Sequence, residues 1–78
     1  MELRVLFVDD DENVLSSMQR TLHHKKNEWD IYLSNSGFDA LNILENNVID
    51  VIVVDIKMPL MNGAELLQKV KELYPDII

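Results

Sequence analysis

Short apolar runs and stretches of helical periodicity take turns along the chain. Leu3-Arg4-Val5-Leu6-Phe7-Val8 reads as a strand, and Val14, Leu15, Met18 and Leu22 then recur at helical spacing between Asn13 and Leu22. Trp29-Asp30-Ile31-Tyr32-Leu33 alternates large and polar residues, which predicts a half-exposed strand at a sheet edge, with Trp29 as a packing residue. Phe38, Ala40, Leu41 and Leu44 form the stripe of a second helix that stops in Glu45-Asn46-Asn47. Val48 to Val54 is β-branched with almost no polar interruption, the pattern of a strand buried on both faces in the middle of a parallel sheet. Ala64, Leu66, Leu67, Val70 and Leu73 give the buried face of a third helix. Tyr74-Pro75 ends that helix, and Asp76-Ile77-Ile78 opens a fourth strand.

The residues between these runs punctuate them. His23-His24-Lys25-Lys26-Asn27 suits the negative end of the first helix, and the two histidines read as exposed helix-end side chains. Ser34-Asn35-Ser36-Gly37 is a turn cluster in which Ser36, followed by Asp39, resembles a capping box. Pro59 cannot continue a strand, Gly63 relaxes the backbone, and Asn62 with Glu65 marks the next helix start. The resulting β-α-β-α-β-α order, with the start of one more β, implies right-handed crossovers and an α/β fold with helices on both faces of a parallel sheet.

Size and charge narrow the functions open to such a fold. The chain has 78 residues, enough for one domain at most, and residues 1–78 are read as part of a single domain. It has no cysteine, which suits a reducing cytosol. No basic, apolar leader opens it, and no apolar run approaches the roughly 20 residues of a membrane span, so a cytoplasmic protein is expected. A formal net charge of −7 argues against direct binding to nucleic acid or anionic lipid, and favours cations or basic protein surfaces as partners.

The acids are concentrated where chemistry is expected. In open α/β sheets ligands bind outside the carboxyl ends of the strands, and Asp55 stands where the third strand stops. Asp9-Asp10-Asp11-Glu12 follows the first strand directly. By themselves these four acids fit either helix capping and solvation or an oxygen-rich cation site. If the first strand lies between the second and third, Asp9 and Asp10 become neighbours of Asp55. Three carboxylates with no competing cysteine or paired histidine specify a hard cation such as Mg²⁺, and a backbone carbonyl from the loop after Asp55 could complete the set.

Phe7-Val8-Asp9-Asp10-Asp11, Val53-Val54-Asp55 and Lys57-Met58-Pro59-Leu60-Met61-Asn62-Gly63 together resemble the receiver domain of bacterial two-component response regulators, of the chemotaxis-regulator type. The resemblance runs through the whole chain. It implies a flavodoxin-like, doubly wound parallel sheet with strand order 2-1-3 over these units. It further implies that Asp55 is the phosphoacceptor, that Asp9 and Asp10 bind Mg²⁺, and that Lys57 lends its main-chain oxygen to the metal. The phosphoryl group would come from a sensor histidine kinase, a phosphotransfer protein or a small phosphodonor.

Residues 1–78 would be the N-terminal part of that domain, lacking the family's strand-four hydroxyl and strand-five lysine. The side of the third strand left open would then favour a homo-oligomer by edge pairing or segment exchange. Two other functions fit parts of the pattern. One is an interaction module without phosphotransfer. The other is a Mg²⁺-dependent phosphohydrolase with Asp9 as nucleophile and Asp11 as acid/base, although Asn13 stands where that pattern prefers Thr or Val.

Overall fold

In a computed structural model, which describes residues 3–22, 28–55 and 62–78, three strands alternate with three helices. The order is β1 (Leu3–Val8), α1 (Glu12–Thr21), β2 (Trp29–Ser34), α2 (Gly37–Asn46), β3 (Val51–Val54) and α3 (Gly63–Leu73). His23 and His24 lie outside the described residues. The strands form one parallel sheet in the order β2-β1-β3, the expected flavodoxin-like arrangement. Leu3 to Val8 pairs with Trp29 to Ser34 along its full length, and Val5 to Val8 pairs with Val51 to Val54.

Handedness assigns the helices to faces. The step from β1 to β2 and the step from β2 back past β1 to β3 run in opposite directions, so right-handed crossovers place α1 and α2 on opposite faces. The main core lies on the α2 face. It joins Leu6 and Val8 of β1 to Ala40 and Leu44 of α2, Ile49, and Leu66 and Val70 of α3. Val5 and Phe7 alternate with that pair, and they are buried together with Leu15 of α1.

Each helix starts on a side-chain cap. Asp11 accepts from the Asn13 N–H at 2.9 Å, Ser36 from Asp39 at 3.0 Å and Asn62 from Glu65 at 2.9 Å. A cap of this kind contributes about 1 kcal/mol. The box expected at Ser36 is half formed, because the Ser36 N–H turns to the Ser34 hydroxyl (3.4 Å) and not to Asp39.

Several expectations need correction. The third strand is shorter than Val48 to Val54 and is not buried on both faces: Val48 is 69% exposed and Val53 is 45% exposed. The ladder to β1 opens at Asp50, whose N–H donates to the Arg4 carbonyl (2.8 Å) and whose Oδ2 accepts from the Arg4 N–H (2.9 Å). Beyond β3, the described residues supply only the beginning of a neighbour. Ile52 donates to the Ile78 carbonyl and Ile78 to the Asp50 carbonyl, both at 3.1 Å, so Ile78 alone pairs in the parallel pattern; Asp76 lies in a turn in which Ile77 donates to the Tyr74 carbonyl (3.1 Å), and the strand expected from Asp76 is not formed over these residues.

The helix stripes are also narrower than their sequence pattern. Gly37, Ala40 and Leu44 form the buried line of α2, and Gly63, Leu66 and Val70 that of α3. Phe38, Ala64, Leu67 and Leu73 are exposed, because two helices share one face of a small sheet and each presents a single line to it. The edge position and half exposure expected for the second strand are both observed.

Candidate functional site

The acids at the strand ends are placed by the ladders on either side of β1. The Asp9 N–H donates to the Ser34 carbonyl at 3.0 Å, extending the pairing with β2 by one residue. The Asp55 N–H donates to the Val8 carbonyl at 2.9 Å, extending the pairing with β3. Parallel register thus brings two positions far apart in sequence to adjacent strand ends.

Asp9, Asp10 and Asp55 form one group, in which an oxygen from each carboxylate lies within 4.8 Å of the others. Asp9 and Asp55 are half-buried and Asp10 is exposed, so the group is open to solvent on one side. Octahedral Mg²⁺ with oxygens at about 2.1 Å spaces its ligands about 3 to 4 Å apart, a spacing comparable to that of this set. The donors are all hard oxygens, and no cysteine or histidine is among them. They fit a hard divalent cation. Lys57, whose main-chain oxygen was expected to join them, lies outside the described residues, as does the Met-Pro loop.

The run of four acids separates into two kinds. Asp9 and Asp10 face the strand-end group, whereas Asp11 caps α1 and Glu12 occupies its first turn. Asp11 also donates its N–H to Asp9 Oδ1 at 2.9 Å. Pattern alone did not reveal the part played by Ser34, which is 2% exposed and whose carbonyl fixes Asp9. Its hydroxyl donates to the Ser36 carbonyl at 2.9 Å, so the turn holds the end of β2 in place. Every buried polar side-chain atom among the described residues has a partner.

Comparison with known proteins bears directly on this arrangement. The family described as the response regulator receiver domain matches residues 5–78. The chain belongs to that receiver domain family. Among curated relatives, this receiver is 34% identical over 77 residues to the response regulator MprA of Mycobacterium sp. strain KMS, and 31% identical to that of Mycobacterium tuberculosis strain H37Rv. The alignments cover 99% of this chain and 33% of each relative, so the chain spans about a third of the length of the relatives it matches.

Solved structures agree on the receiver fold. A CheY-like receiver domain protein from Methanospirillum hungatei superposes with a TM-score of 0.88 at 31% identity, over 99% of this chain and 60% of that one. The signal receiver domain of an HD domain-containing protein from Pseudomonas fluorescens reaches a TM-score of 0.92 at 23% identity, likewise over 99% and 60%, which is likeness of fold alone. Receiver domains of this family are regulatory elements of two-component systems. No helix among the described residues is long and apolar enough to cross a membrane.

Proposed function

We propose that residues 1–78 are the N-terminal part of a receiver domain in which Asp55 accepts a phosphoryl group from the phosphohistidine of a sensor histidine kinase or phosphotransfer protein, with small phosphodonors as substitutes. The observation that carries this reading is the gathering of Asp9, Asp10 and Asp55 at adjacent strand ends with oxygens within 4.8 Å. An Asp55 carboxylate oxygen forms the new bond to phosphorus, the phosphorus–nitrogen bond of the donor breaks, and its electron pair leaves with the imidazole, which takes up a proton.

Asp9, Asp10, Asp55 and the Lys57 carbonyl would hold Mg²⁺. Bound there, a divalent cation would offset the repulsion between an anionic nucleophile and an anionic phosphoryl group. The chain's own contribution is to hold the carboxylates in place from two ladders. The acyl phosphate would add negative charge and acceptor oxygens at the strand ends, where it can bias the neighbouring loop. The role is that of a regulated acceptor and not of a turnover enzyme. Absence of cysteine goes with a cytoplasmic location for it.

Intact mass after incubation with Mg²⁺ and acetyl phosphate tests the assignment. One added, base-labile phosphate on the parent and none on Asp55→Asn is expected. Label that persists on Asp55→Asn and maps to Asp9 would favour the phosphohydrolase reading instead.

A second reading, an interaction or assembly module without phosphotransfer, is favoured by one observation. The apolar side chain of Val53 in β3 is 45% exposed. A strand that presents such a residue can pair with another copy or exchange a segment with it. A folded parent that takes no phosphate and elutes as a dimer supports the module. A monomer by light scattering removes the exchange.

A further inference from the structure

We propose that Asp11 is a positioning residue for cation binding: by capping α1 it fixes its own N–H on Asp9 Oδ1, so that the Asp9 carboxylate is oriented before a cation arrives. The proposal rests on the cation-site reading given above and assigns Asp11 a part in it distinct from that of its two acidic neighbours.

Three sets of hydrogen bonds meet at this residue. Its Oδ1 accepts from the Asn13 N–H at 2.9 Å, and its carbonyl accepts from Val14 at 3.0 Å and Leu15 at 3.2 Å. Its own N–H donates to Asp9 Oδ1 at 2.9 Å. As cap residue Asp11 is in extended geometry, with φ −91° and ψ 107°, and its N–H reaches back to Asp9 at the strand end. With one oxygen held, Asp9 loses rotational freedom on folding and not on binding, which strengthens cation affinity without adding a ligand. The Asp11 side chain acts through the cap, so its hydrogen-bonding oxygen matters here more than its charge.

Two substitutions separate these properties. Asp11→Asn keeps the acceptor and removes the charge. Asp11→Gly removes the acceptor, yet glycine at this position costs a helix only a few tenths of a kcal/mol, so the fold is retained. Titration with Mg²⁺ alone, followed by isothermal calorimetry, is expected to leave the Kd of Asp11→Asn within about twofold of the parent and to weaken Asp11→Gly about fivefold, with little change in Tm.

Equal binding by Asp11→Gly and the parent overturns the positioning role, and an Asp11→Asn loss as large as that of glycine assigns the effect to charge. A parent that binds no Mg²⁺ overturns the cation-site reading itself. Hydrogen exchange on the metal-free parent gives a check that needs no variant. The Asp11 amide is expected to be protected already, and exchange as fast as that of an exposed loop amide overturns the pre-ordering.

Discussion

The two faces of the sheet are built to different standards. On one, α2 and α3 together cover Leu6 and Val8, and Leu6 and Leu66 are wholly inaccessible. On the other, α1 is the only helix among the described residues; Val5 and Phe7 are buried there, but Val53 of β3 is 45% exposed. β1 is common to both faces and is buried from Val5 to Val8, and it lies between two strands along its carboxyl half. Folding stability therefore belongs mainly to the α2/α3 face. The strand-end acids sit where β1 hands its register to both neighbours, so the site inherits the best-fixed part of the molecule.

The largest expected effect is on the covered face. Leu66→Ala deletes a side chain with no accessible surface and should cost about 3 kcal/mol. A core of this size supplies only about 3–5 kcal/mol in all, so urea unfolding of that variant should begin almost at once. Leu15→Ala, on the α1 face, removes a residue that still touches solvent and should cost about 2 kcal/mol, measured the same way. Equal losses in the two variants would erase the difference between the faces. Val53→Thr keeps shape and strand preference at a half-exposed position and should change stability by no more than about 0.5 kcal/mol. A larger loss would mean that another surface covers β3 in solution.

The site was legible to the extent that its residues are ordinary in type and unusual in place. Asp55 could be picked out because it ends an apolar run, and Asp9 and Asp10 because they follow another. Their proximity was not in the pattern. It came from the strand order, which the family resemblance supplied and the sheet bears out. The division of labour within the acidic run was legible only in part, since composition treats Asp9, Asp10 and Asp11 alike. Ser34 was hidden for a different reason: its contribution is a backbone carbonyl, which any residue carries.

The sequence by itself determined the alternation of strands and helices, the caps at Ser36 and Asn62, and the half-exposed edge at Trp29–Leu33, because each depends on neighbours within a few positions. It overstated the apolar stripes at Phe38, Leu67 and Leu73 and the length of the third strand. How much of a stripe is covered depends on how many helices share a face, and where a ladder opens depends on a partner such as Arg4, 46 residues from Asp50. Only the tertiary structure decided which acids meet. Carboxylates separated by some 45 residues approach through the parallel register of the two adjacent strands that they end, and that register is set by pairing across the sheet and not by local preference.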